Sequence, residues 1–243
     1  MTRDSLHQFE PAAFDAFLFD LDGVITPTVE VHRRAWQQTF DALFEQMGLP
    51  PYREAEYFES LDGRARFEGV ATLLSARGIS LPEGDTGGEW QASIQGIGNR
   101  KNQAFTEVLE RDGIAAYPGS VHLLDQLRDL GKPLAVVSSS RNAEPVLRAA
   151  GLRDRFLAVV DGVVAARDQL PGKPAPDTFQ RAGEQLGAKP ENTVVFEDAI
   201  SGVEAGRAGG FGLVVGVDRG AGETALRRAG AHLVVQDLEE LTR

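Results

Sequence analysis

The 243-residue chain is 42% apolar, contains no cysteine and carries a net charge of -11, with a mean hydropathy of -0.21 and an isoelectric point near 4.9. Such a chain suits one large globular domain, or one core with a smaller insert, and it excludes disulfides and thiolate catalysis. The acidic balance argues against nucleic acid or a membrane surface as partner, since both need basic faces, and a reducing, cytoplasmic setting is expected for a monomer by default.

The segment Met1 to Pro11 contains Asp4, His7 and Glu10 and has no apolar stretch of signal-peptide length. Nowhere do ~20 apolar residues run together, so no membrane span is expected. The first strong signal is Ala16-Phe17-Leu18-Phe19, a short continuous apolar run of the kind that forms a strand buried on both faces, followed at once by Asp20-Leu21-Asp22-Gly23. Ligands of parallel sheets bind beyond the carboxyl ends of the strands, which places both acids at the functional edge. Two carboxylates ~4 Å apart repel by about 4 kcal/mol at an effective dielectric near 20. The pair therefore calls for a divalent cation, a shared proton, or both.

From Thr28 to Asp112 the pattern changes to helical periodicity, around Val31 to Met47, Ala65 to Arg77 and Glu89 to Glu110, with few strand candidates. Gly48-Leu49-Pro50-Pro51 and the turn-rich stretch from Leu81 to Gly88 interrupt it. This predicts a helical cap, residues 28–112, inserted in a core made of residues 1–27 and 113–243. Within the insert Trp36 and Phe40, four apart, read as packing residues. Beyond residue 113 short apolar runs at Leu134 to Val137, Leu157 to Val160, Thr193 to Phe196, Leu213 to Val217 and His232 to Val235 alternate with helical segments. Those segments are Ser120 to Leu130, Asn142 to Ala150, Pro176 to Leu186, Ala199 to Ala208 and Gly222 to Ala229. The alternation predicts an α/β fold with a Rossmann-like parallel sheet.

Four chemical clusters punctuate this core. Asp20 and Asp22 follow the first strand, Ser138-Ser139-Ser140 follows the second, Lys173 stands in Gly172-Lys173-Pro174-Ala175-Pro176-Asp177, and Glu197-Asp198 follows Thr193 to Phe196. Taken singly, the serines read as well as a helix cap, the lysine as a surface cation and the acids as capping residues. Taken together, they converge at one sheet edge: hydroxyls and turn amides for an anion, an ammonium aimed by its prolines, and oxygen ligands on separate strands that suit Mg²⁺.

In this order and spacing the clusters resemble the signature of the haloacid dehalogenase superfamily of phosphoryl-transfer enzymes, and within it the β-phosphoglucomutase-like family. Phe19-Asp20-Leu21-Asp22-Gly23-Val24-Ile25-Thr26 with Thr28, Glu30, His32, Ala35 and Trp36 carries the resemblance, as do Ser138-Ser139-Ser140-Arg141-Asn142 and Lys173-Pro174-Ala175-Pro176-Asp177. Two stretches of the insert extend it: Arg66, in Leu61-Asp62-Gly63-Arg64-Ala65-Arg66, resembles the family's phosphate-binding arginine, and Arg100-Lys101-Asn102 its lysine segment. Departures are Pro27 in place of an acid, Asp62 in place of a lysine, and an expanded turn at Pro82 to Gly88. His7, His122 and His232 read as structural or surface residues.

The resemblance implies that Asp20 attacks phosphorus to form an aspartyl-phosphate, that Asp22 is the general acid and base, and that Lys173 and Ser138 stabilise the transferring oxygens. It implies Mg²⁺ held by the carboxylates of Asp20 and Asp198 and the carbonyl of Asp22, with Glu197 as a further candidate. Thr28, His32, Arg66, Lys101, Ser139, Ser140, Arg141 and Asn142 become substrate-binding residues. The implied reaction interconverts β-glucose 1-phosphate and glucose 6-phosphate through glucose 1,6-bisphosphate. A sugar-phosphate phosphatase is the alternative, because the same core serves when water replaces the sugar, and a non-catalytic sugar-phosphate sensor is a remote one.

Overall fold

The computed structural model describes residues 9–84 and 89–242; His7 and residues 85–88 of the expanded turn lie outside them. The chain divides into two compact units, Met1–Pro27 with Ile114–Arg243, and Thr28–Gly113. Gly113 thus goes with the insert. It ends the helix Ile94–Asp112 at a φ of 66°, a conformation open to glycine because it has no Cβ.

The first unit is built on a six-stranded sheet in the order β3-β2-β1-β4-β5-β6, every neighbouring pair of which is parallel. Its strands are β1 (Ala16–Phe19), β2 (Leu134–Val137), β3 (Ala158–Val160), β4 (Thr193–Glu197), β5 (Leu213–Val217) and β6 (Leu233–Val235). All four residues of β1 are inaccessible to solvent, as a strand covered on both faces requires. Strand order reverses between β1 and β4, the point at which such sheets open a crevice beyond their carboxyl ends. In register, Phe19 pairs with Phe196 of β4 and with Val136 of β2, so the residues that follow these strands emerge at one level. The Phe19 and Phe196 rings stack at 4.4 Å between centroids and 9°. Helices α5 (Pro118–Asp129), α6 (Ala143–Ala149), α7 (Gly162–Arg167), α8 (Asp177–Leu186), α9 (Ile200–Ala208) and α10 (Glu223–Ala229) connect the strands.

The second unit is helical: α1 (Thr28–Gln46), α2 (Glu54–Ser60), α3 (Arg66–Ala76) and α4 (Ile94–Asp112). Trp36, Phe40, Phe44, Tyr57, Val70, Leu73 and Ile97 form its core, with Trp36 and Phe40 stacked at 5.5 Å. The Arg77 guanidinium lies over Phe44 at 3.9 Å and binds Glu56 Oε1 and Oε2 and the Pro50 and Pro51 carbonyls. No helix among the described residues is long and apolar enough to cross a membrane.

Several elements depart from expectation for local reasons. The helix expected from Glu89 starts only at Ile94, where the Ser93 hydroxyl accepts from the Gly96 amide, after a 3-10 turn at Trp90–Ala92. Leu157 lies outside β3 and is exposed, and His232 precedes β6, its ring Nδ1 accepting from the Val214 amide. The short helices α2 and α7 have too few turns for an apolar period to show; α7 exists because the Asp161 carboxylate accepts from the Val163 and Val164 amides at its start.

Phe196→Ala removes the ring stacked on Phe19 and leaves a cavity at the centre of the sheet. We expect a loss of about 3–5 kcal/mol, read by urea denaturation of the wild type and variant side by side.

Candidate active site

Asp20 takes over where β1 stops: its amide donates to the Phe196 carbonyl at 2.9 Å, continuing the ladder one step past the strand. Ser138 does the same after β2, donating to the Val160 carbonyl at 3.0 Å. Glu197 is the last residue of β4 and Asp198 the first beyond it. Asp20 and Asp198 are each 7% exposed. The switch point of the sheet thus carries acids from both of its flanking strands.

Lys173 joins them from the loop before α8. The side chain is 1% exposed, and its Nζ lies 2.5 Å from Asp20 Oδ1, 2.5 Å from Glu197 Oε1 and 3.1 Å from the Val137 carbonyl. Three acceptors meet the three protons of one ammonium, so this buried cation is fully satisfied. Burial alone would favour the neutral amine, but Asp20 and Glu197 outweigh it and hold Lys173 charged, above its ordinary range. The Glu197 Oε2 atom accepts from the Ala199 amide at 3.0 Å. Gly202 makes room for that carboxylate, since a Cβ there would overlap it. Glycine at this position carries no signal in the sequence; the demand for it comes from a side chain at the end of β4, before the helix begins.

One ammonium facing two buried acids leaves an excess of negative charge. The Asp20 carboxyl is pushed well above the usual carboxylate range, first by burial, then by Glu197 and Asp22, with Lys173 opposing. A second cation fits that imbalance. Among the described residues no three His, Cys, Asp or Glu side chains are grouped closely enough to hold a metal alone. The donor set instead suits Mg²⁺, which takes one or two carboxylates and completes its shell with water and phosphate.

Asp22 stands on a tight turn. The Gly23 amide donates to the Thr26 carbonyl at 2.8 Å, the Ile25 and Thr26 amides to the Leu21 carbonyl, and Gly23 has a φ of 92°. The Asp22 carboxylate is half-buried, and its Oδ2 accepts from the Ser138 hydroxyl at 3.3 Å. The same hydroxyl accepts from the Ser140 amide at 3.0 Å, and Ser140 Oγ accepts from the Asn142 amide at 3.1 Å. Two amides expected to face an anion are therefore engaged within the loop, whose exposed side chain is Arg141.

The remaining candidates belong to the helical unit. Lys101 is buried, donates to His32 Nδ1, and lies over the Trp36 and Phe105 rings at 4.8 and 5.2 Å. His32 stacks on Phe105 at 4.2 Å and 15°. Arg66 Nη2 donates to Asn102 Oδ1 at 2.6 Å. Thr28 is buried at the start of α1. The sequence-predicted residues thus fall in two units: Asp20, Asp22, Ser138, Ser139, Ser140, Arg141, Asn142, Lys173, Glu197 and Asp198 in one, and Thr28, His32, Arg66 and Lys101 in the other. His122, bound to Glu239 at the surface, and His232 join neither.

An α/β unit with an aspartate just beyond its first strand, a buried lysine and acids at the end of β4 matches a known enzyme class. Residues 14–210 match the model of the haloacid dehalogenase-like hydrolases, and the chain belongs to that family of enzymes. Within it, the chain is 44% identical to the β-phosphoglucomutase of Mycobacterium bovis, over 95% of this chain and 92% of that protein. It is 34% identical to the β-phosphoglucomutase of Bacillus subtilis, over 93% and 91%. Among solved structures, the β-phosphoglucomutase of Clostridium difficile superposes with a TM-score of 0.76 at 27% identity, over 94% of this chain and 93% of that one. CbbY from Rhodobacter sphaeroides, solved in complex with xylulose-(1,5)bisphosphate, gives a TM-score of 0.74 at 26% identity, over 94% and 96%.

An acid whose pKa is raised by folding adds stability below its unfolded value of about 4 and withdraws it as pH rises through the folded value. Asp20→Asn removes that ionisation. In chelator-treated protein we expect the variant to be more stable than the wild type at about pH 7, with the gain shrinking toward about pH 4. Urea denaturation across that range checks it, and equal stability at neutral pH would contradict it.

Proposed function

We propose that the protein interconverts β-glucose 1-phosphate and glucose 6-phosphate, with glucose 1,6-bisphosphate as the exchanging intermediate and activator. The observation that carries this reading is the buried Lys173 ammonium bound to Asp20, with Asp22 on the adjoining turn, in a chain 44% identical to a β-phosphoglucomutase.

Asp20 attacks phosphorus: a new bond forms from its carboxylate oxygen as the bond from phosphorus to the sugar oxygen breaks, giving an aspartyl-phosphate. Asp22 gives its proton to the departing sugar oxygen. In the return step Asp22 takes the proton from the attacking sugar hydroxyl, which recovers the phosphoryl group from Asp20. Lys173 and the Ser138 hydroxyl stabilise charge on the transferring oxygens. Glu197 holds Lys173 through Oε1 and the Ala199 amide through Oε2, and is a further candidate ligand for Mg²⁺. The carboxylates of Asp20 and Asp198 and the carbonyl of Asp22 would hold Mg²⁺. When bound, Mg²⁺ neutralises phosphate charge and favours the ionised nucleophile.

The non-reacting phosphate needs its own cations. Arg66 and Arg141 are the candidate cations, since a guanidinium can grip a phosphate through two donors, and Asn142 is a candidate hydrogen-bond donor. Lys101 and His32 bind sugar oxygens, with Thr28, Ser139 and Ser140 as further contacts. Hydrolysis by the same core is the second reading, favoured by the match of residues 14–210 to the haloacid dehalogenase-like hydrolases.

The two readings separate when the protein is given Mg²⁺, β-glucose 1-phosphate and a trace of glucose 1,6-bisphosphate, and glucose 6-phosphate and free phosphate are measured together. We expect glucose 6-phosphate to dominate; free phosphate alone would leave only the phosphatase. Asp20→Asn is expected to abolish both products, and Arg66→Ala to raise the share of free phosphate.

A further inference from the structure

The turn that presents Asp22 is tied down by its carbonyls. Three in succession are claimed by donors from elsewhere in the same unit: Gly23 by Arg219 Nε at 2.8 Å, Val24 by the Ser120 hydroxyl at 2.6 Å, and Ile25 by the Tyr117 amide at 2.9 Å. The Ser120 and Tyr117 donors come from the start of α5. Arg219 comes from the loop after β5, two strands away from β1 in the sheet. Its guanidinium also donates through Nη1 to the Gln236 carbonyl at 3.0 Å and through Nη2 to Asp237 Oδ2 at 3.3 Å. The face of the guanidinium lies 3.9 Å from the centre of the Tyr117 ring. One planar cation thus spans the loops after β1, β5 and β6 and stacks on the residue that opens α5.

Of the three tethers, Arg219 holds the carbonyl next to Asp22. The Asp22 carboxylate accepts a 3.3 Å hydrogen bond from Ser138, and the Arg219 tether fixes the peptide that follows it. A five-donor fork with a fixed plane suits this task in a way that a lysine does not.

We propose that Arg219 is the positioning residue for Asp22, fixing the Gly23 peptide so that the carboxylate stays aimed at the oxygen whose proton it moves. The inference rests on the reading of Asp22 as general acid and base. Displacing a catalytic group by about 1 Å can slow a reaction about a hundredfold, and the slowing falls on steps that need a proton.

The test compares two phosphoryl donors under single-turnover conditions with Mg²⁺. Glucose 1,6-bisphosphate has a sugar leaving group that needs a proton from Asp22, whereas the nitrophenolate of 4-nitrophenyl phosphate leaves without one. For Arg219→Ala we expect transfer from the bisphosphate to fall about tenfold to a hundredfold, with transfer from the aryl phosphate nearly unchanged and the half-saturating bisphosphate concentration little altered. Arg219→Lys keeps the charge and the stem against Tyr117 but offers one nitrogen to three acceptors, and should show the same selectivity to a lesser degree. Equal losses on both donors in these variants, or no loss on either, would overturn the role of Arg219. Asp22→Asn is the control: if it fails to discriminate between the donors, the acid and base reading itself fails, and the inference with it.

Discussion

One buried ammonium organises this site. Lys173 sits among Asp20, Glu197 and the Val137 carbonyl, and so ties together the ends of β1, β2 and β4. Buried ion pairs are poor sources of stability, because desolvation offsets most of the attraction. An arrangement with two acids for one cation is worse than neutral, as the raised Asp20 carboxyl records. Such charge is retained at sites that do chemistry. Here the stored repulsion is what a cation and a phosphoryl group would relieve. Glu197 belongs to this scaffold: it is held by the Ala199 amide and given space by Gly202, and it helps hold Lys173 in the charged form next to Asp20.

The two aspartates that stand two residues apart are supported in different ways. Asp20 is an extension of a fully buried strand, its amide still in the sheet ladder. Its position is inherited from the core of the fold. Asp22 rides on a glycine turn whose carbonyls are fastened one at a time, by Arg219, Ser120 and the Tyr117 amide. Under the proposed mechanism Asp20, as nucleophile, needs a fixed position, while Asp22, which gives a proton to one oxygen and takes one from another, must be placed against both. The difference in support matches the tasks proposed for them.

Much of this was legible in the chain. The strands β1, β2, β4 and β5 are built mainly of short apolar runs because both faces of the sheet are covered, and the chemistry-bearing residues stand at or just beyond their ends. The separate helical unit showed in its change of period. What was not legible depends on contacts made only in three dimensions. Glu197 stands beside Asp198 in the sequence as one of an acidic pair, and its bonds to Lys173 and the Ala199 amide show only in the fold. Gly202 is an ordinary helix glycine until the Glu197 carboxylate is found against it. Arg219 obeys the same strand-end rule as the other site residues, but a surface arginine after an Asp carries no signal until the loops after β1 and β6 are brought to it. The helices α2 and α7 are too short to express a period, and caps rather than apolar pattern define them.

The central claim is that the Asp20 carboxylate receives the phosphoryl group. The most direct measurement is to mix the protein with Mg²⁺ and glucose 1,6-bisphosphate, quench, reduce with borohydride and map the peptides by mass spectrometry. An acyl phosphate is reduced to the alcohol, so the account predicts a homoserine at position 20, formed only when the bisphosphate and Mg²⁺ are both present. Reduction at position 22 or 198 instead, or an unmodified Asp20 in protein that is turning over, would contradict it.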